Sequence, residues 1–135
     1  MPKIVFPLKL HRRFEFFSYI VGHGGLLLRS RNSAEYPTRI ELMFKDIEEM
    51  RLQNTMEELE IDLITDPERI NDQLGVTEVH ESRHVFALSA ANFRTGYVVA
   101  GALYLAEDDL GFSEPSAIEH KDLESHVMRS EYFND

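Results

Sequence analysis

The stretch TRIELMFK, residues 38–45, decides the fold. Ile40, Leu42 and Phe44 alternate with Arg39, Glu41 and Lys45, and only Met43 departs from the polar set. A period of two turns one apolar face inward and leaves the other wet, which is the signature of a half-buried strand. The pattern recurs at 58–63, where Leu59, Ile61 and Leu63 alternate with Glu58, Glu60 and Asp62, and near the start with Ile4, Phe6, Leu8 and Leu10. Pro7 assigns that first strand to an edge, because proline cannot donate to a ladder. Further strands are expected over 14–21, 26–31, 47–53, 84–90 and 97–106, with Gly101 marking a bulge or bend in the last.

The connections read as hairpins at Gly22–Gly25, Ser30–Pro37 and Asn92–Gly96. One helix is well signalled: Thr65-Asp66-Pro67-Glu68 supplies a cap, a first-turn proline and an acid, and Gly75 a stop, so the helix is placed at Pro67–Leu74. From Ser113 onward the apolar residues Ile118, Leu123, Val127 and Met128 are sparse. That segment is expected to be either a weakly docked helix or a frayed, partly disordered tail. The fold expected is therefore all-β: an antiparallel sandwich or flattened barrel of about eight strands with one short helix. Residues 1–112 form its single β domain and 113–135 the tail.

At 135 residues, with 43% apolar and 28% charged residues, the chain is long and apolar enough to bury a core. No apolar run approaches the ~20 residues of a membrane helix, and no secretory signal is read at the N-terminus. The absence of cysteine excludes disulfides, a thiolate zinc site and a cysteine nucleophile, and fits a cytoplasmic protein. The net charge of −10 argues against nucleic acid as a partner, since such binding is driven by neutralising phosphates. The charge is also unevenly spread. Residues 1–45 hold eight basic and three acidic residues, whereas 46–135 hold six basic and 21 acidic ones. Pairing of early with late strands would neutralise this asymmetry internally; otherwise it presents a basic or an acidic face to a partner.

The sharpest chemical signal is His80-Glu81-Ser82-Arg83-His84. These five residues resemble the zincin metalloprotease signature, which implies a zinc held by His80 and His84 with Glu81 activating water. The geometry requires a helix, where residues four apart share a face. On a strand they lie ~13 Å apart and cannot share an ion. The β-branched run before the motif, and the departure from the family pattern at Ser82 and Arg83, both favour a strand and its preceding turn.

Weaker constellations point to binding. Gly22-His23-Gly24-Gly25 could form a backbone nest for an anion, assisted by Arg29, Arg31 and Arg39; the alternative is a tight hairpin needing positive φ. Arg31, Asn32, Ser33 and Tyr36 give the 30–37 loop a recognition-like composition, and Phe93 beside Arg94 would make an anchor unless the ring folds back onto the core. There is no Gly-x-Ser-x-Gly elbow, no phosphate-binding loop and no dedicated calcium loop. The expected function is thus an acidic, non-catalytic binding domain without cofactor, recognising a protein partner or another copy of itself through His23, Gly24, Arg29, Arg31, Tyr36, Phe93 and Arg94. One concrete variety would block a basic toxin with its acidic face. The alternatives are a metal-dependent hydrolase using His80, Glu81 and His84, and a small-ligand carrier with Phe14, Phe16, Phe17, Tyr19, Tyr97 and Tyr104 lining a barrel mouth.

Overall fold

A computed structural model describes residues 2–134, the side chain of His23 excepted. Eleven antiparallel strands form two sheets: β1 (Leu8–Lys9), β2 (Phe14–Ile20), β3 (Gly25–Ser30), β4 (Arg39–Lys45), β5 (Glu49–Arg51), β6 (Thr55–Met56), β7 (Glu60–Ile64), β8 (His84–Ala90), β9 (Phe93–Ala100), β10 (Ala102–Asp108) and β11 (Val127–Phe133). One sheet runs β1-β7-β8-β9-β5 and the other β11-β10-β4-β3-β2-β6. The fold is the all-β sandwich that the alternation implied. The count exceeds eight because β1, β5 and β6 are short edge pieces of two or three residues. As Pro7 required, β1 lies at an edge.

The two sheets share one core. Leu26, Leu28, Ile40, Leu42, Phe44, Leu103 and Leu105 of the six-stranded sheet meet Ile61, Phe86, Leu88, Val98 and Ala100 of the five-stranded one. The Phe44 and Phe86 rings cross the interface edge to face, 5.4 Å apart. A fully buried phenylalanine contributes roughly 1.5–3 kcal/mol by leaving water, and both rings are wholly buried.

The run expected as one strand over 97–106 is two, and Gly101 is the corner. There β9 leaves the five-stranded sheet and β10 enters the other. The Gly101 N–H donates to Lys45 O at 2.9 Å, and a Cβ at this position would lie 3.2 Å from that of Asp46. Helix α1 (Pro67–Leu74) falls where its caps predict. Asp66 accepts from the Glu68 N–H, and Gly75 closes the helix at φ +73°. Its Ile70 packs with Ile64, Val76, Val85, Tyr97 and Val99 on the outer face of the five-stranded sheet.

The C-terminal segment departs from expectation. Residues 109–126 form a strap that ends in a 3-10 helix, Lys121–His126, and 127–133 form β11. β11 pairs with β10 from Leu103↔Phe133 to Asp108↔Val127. The strap is held because its carbonyls satisfy buried arginines. Arg29 donates to Phe112 O and Glu114 O, and Arg39 to Gly111 O, Glu114 O and Pro115 O. The Glu41 carboxylate receives Ser116 Oγ and the Ala117 N–H at 3.0 and 3.1 Å. Arg29–Glu41 and Arg39–Asp108 are ion pairs of 2.7 and 3.0 Å with side chains no more than 1% exposed. The network holds two cations and two anions, so the buried charge sums to zero and each group has hydrogen-bond partners.

Candidate functional site

The basic surplus of residues 1–45 is largely consumed within the fold. Lys9, Arg12, Arg13, Arg29, Arg31 and Arg39 face Glu60, Glu107, Glu57, Glu41, Glu15 and Asp108 respectively. This disposes of the arginine-assisted nest. Arg29 is buried against Glu41 and the strap, and five positions of β3 separate it from Gly24, ~16 Å at strand rise. Gly24 has φ +53° and accepts from the Ile47 N–H, the positive-φ turn that was the alternative reading. The His23 side chain lies outside the described residues.

Arg31 and Tyr36 do come together, with His11, Arg12, Arg13, Glu35 and Glu57, around a cleft of about 380 Å³. Yet Arg12 lies over the Tyr36 ring while bound to Glu107 and Thr38, and Arg31 joins Glu15 and lies over Phe112. The cleft carries no surplus of positive charge for an anion. The Phe93 ring folds back over Gly96 onto the core, and the exposed Arg94 faces Glu58 and Glu60 across a shallow pocket elsewhere. The aromatics of the supposed barrel mouth are dispersed. Phe14 is core, Phe16 and Tyr19 pack against it, and Tyr97 sits beneath α1.

The HESRH segment is not helical. Glu81 and Ser82 form a turn, the Arg83 N–H donates to His80 O at 2.9 Å, and β8 begins at His84. The His84 ring stacks edge-on against Phe133, 5.0 Å away. His80 Nδ1 faces Ser82 Oγ at 2.8 Å and accepts the Ser82 N–H. The two histidines thus serve a turn and a ring stack, and among the described residues no three His, Cys, Asp or Glu groups are placed to hold a metal ion. The helix that zinc chemistry needs is missing because Gly75 has already ended α1.

HESRH nevertheless lines the most distinctive opening on this face. Ile64, Pro67, Ile70, Val76, Val79 and Val85 wall a groove of about 360 Å³ between α1 and β8, and His80, Glu81, Arg83 and His84 also line it. Of the six acids in 62–82 only Glu81 lines the groove; Asp66, Glu68, Asp72 and Glu78 are exposed on the segments that build it, Asp62 is half-buried on β7, and none of the six forms an ion pair among the described residues. The only cations in this stretch are Arg69, bonded to Gln73, and Arg83. Arg83 donates through Nη1 to Ser82. Its Nε is buried and is the one such side-chain donor without a partner among the described residues. A buried N–H without an acceptor costs about 1–3 kcal/mol. Sequence inspection picked out His80, Glu81 and His84 for another chemistry and missed the acids of α1. Their only sequence signal was density, six carboxylates within 62–82.

Beneath the groove, the Tyr97 hydroxyl donates to Glu49. That bond, with burial and the nearby carboxylate charge, raises the phenol above its ordinary value against the opposing effect of Arg51. Compared with known proteins, the chain matches no family profile, and no curated protein or solved structure is significantly similar to it. No described helix is long and apolar enough to cross a membrane.

Proposed function

We propose that this chain is a cytoplasmic, non-catalytic binding domain whose α1–β8 groove receives a cationic, partly apolar segment of a protein partner. The observation that carries the reading is the groove itself: apolar walls, Glu81 in its lining, and five further carboxylates without ion pairs on the segments that build it. Apolar side chains of the partner would fill the walls, and its Lys or Arg residues would meet the surrounding carboxylates. Charges of this kind speed encounter and select partners, while the apolar contact slows release. Internal pairing of the N-terminal cations supports the reading, because it leaves the surplus negative charge on the surface.

The test uses a synthetic peptide of alternating Lys and Leu, with its Glu/Leu counterpart as control, titrated calorimetrically at low and high salt. The Lys/Leu peptide should bind and weaken by about tenfold or more as salt screens the carboxylates. Joint reversal of Glu68, Glu78 and Glu81 to Lys should weaken it similarly, all three side chains being exposed and unnecessary to the core. Binding indifferent to salt and to the reversal would overturn the reading. So would a protein that only pairs with itself, seen as a doubled sedimenting mass the peptide does not alter.

A further inference from the structure

The strap creates a second opening, on the outer face of the six-stranded sheet. A cleft of about 440 Å³ lies between the Lys121–His126 turn and the β10–β11 pair. Tyr104, Ala106, Ala117, Ile118 and Val127 contribute to walls that are mainly apolar. Two lysines line it as well, Lys45 from the end of β4 and Lys121 from the strap.

Like Arg51, Arg69, Arg83 and Arg94, these lysines form no ion pair among the described residues, although the chain has 24 acidic residues against 14 basic ones. Neither Lys45 nor Lys121 has a carboxylate within 4.0 Å among the described residues, and the Lys45 ammonium lies 5.9 Å from the centre of the Tyr104 ring. Two acids also line the cleft. Glu131 is already bound to Arg129 at 2.6 Å, whereas Glu124 has no ion-pair partner. The uncommitted charges are thus Lys45, Lys121 and Glu124, a net of one positive charge. That balance suits a single anionic head group better than a doubly charged phosphate, and the apolar walls suit a hydrocarbon or aromatic body.

We propose that the cleft beneath the strap binds a small amphipathic carboxylate, its head between Lys45 and Lys121 and its body against Tyr104, Ala106 and Ile118. The roof of the cleft is preorganised, because Arg29, Arg39 and Glu41 fix the strap before any ligand arrives. A ligand therefore does not bear the cost of ordering it. This site is independent of the α1–β8 groove and uses none of its residues.

Three probes with one tail and different heads test it: octanoate, octanol and octylammonium, titrated by calorimetry and by chemical-shift perturbation. Octanoate should bind, about tenfold or more tighter than octanol, with octylammonium weakest. Lys45→Gln and Lys121→Gln, both at exposed side chains, should each weaken octanoate about fivefold while leaving octanol unchanged. Ser130→Trp, which fills the cleft from β11, should abolish binding of all three. No binding of octanoate to the folded protein would overturn the proposal. Equal affinity for octanoate and octanol, or octanoate binding unaffected by the lysine variants, would do the same.

Discussion

Replacing Glu41 by Gln would test whether the buried charge network or simple hydrophobic burial holds the strap. Glu41 is fully buried. It accepts from Arg29 Nε at 3.1 Å and Nη2 at 2.7 Å, from Ser116 Oγ at 3.0 Å and from the Ala117 N–H at 3.1 Å, with Arg39 Nη2 3.5 Å away. Glutamine keeps the volume and one acceptor oxygen for Ser116 and Ala117. It deletes the charge that compensates Arg29. Removing one partner of a buried pair costs about 3–5 kcal/mol, because the other charge stays buried and uncompensated. Arg29→Met removes the opposite charge, strips Phe112 O of its donor and leaves Glu114 O with Arg39 alone, a loss of about 3 kcal/mol. The double variant leaves only the neutral Arg39–Asp108 pair. Its loss should fall short of the sum of the singles by about 2 kcal/mol or more. Urea unfolding at neutral pH, followed by circular dichroism, gives all three free energies by linear extrapolation. A cost below about 1 kcal/mol for Glu41→Gln, or strict additivity in the double variant, would refute the argument and make the network an accessory to apolar packing.

Two further perturbations follow from single contacts. The Tyr97 phenol has its folded value raised above the 10.0 of the free side chain, so its contribution is complete below pH 10 and is lost as pH rises through the folded value. Tyr97→Phe should cost about 1 kcal/mol at neutral pH through the lost Glu49 bond. It should also flatten the decline of melting temperature above pH 10; an alkaline decline of unchanged slope would contradict this. At the sheet corner, Gly101→Ala would press a methyl against Asp46 Cβ and Oδ2 at 3.2 and 3.3 Å, for a loss of about 1 kcal/mol. Asp46 itself has φ +56°. Asp46→Gly should relieve that strain and make Gly101→Ala neutral, as compared by thermal melts of the four proteins.

Alternation revealed the strands, and the Asp66-Pro67…Gly75 punctuation revealed α1, because both are local signals. What alternation could not reveal is what lies above a strand's polar face. In TRIELMFK, Arg39 and Glu41 read as solvent-facing; both are fully buried, since the strap crosses them from some 70 residues further on. The same long-range capture explains β11. Val127 to Phe133 place their apolar residues in pairs at the two ends rather than in alternation, so they do not announce a strand, and their place is set by pairing with β10 and by the anchored strap before them. Gly101 was legible as a bend, but that the bend carries the chain between sheets depends on the partners of each half. The candidate sites fared unevenly for a related reason. Arg29, Arg31 and Phe93 were chosen as surface types, yet neighbours distant in sequence had already claimed their donors or ring. The groove draws on α1, the 76–83 loop and β7–β8, and no short window displays that assembly.

The sandwich has two outer faces, and each is roofed by a different kind of cover: α1 over one, the strap over the other. The openings beneath those covers point in opposite directions, separated by a dry layer about 10 Å thick between tightly packed sheets. A macromolecule seated at α1 would leave the strap side open to solvent, and a small molecule under the strap would not obstruct docking at α1. On the two proposals above, occupancy of one side is compatible with full access to the other.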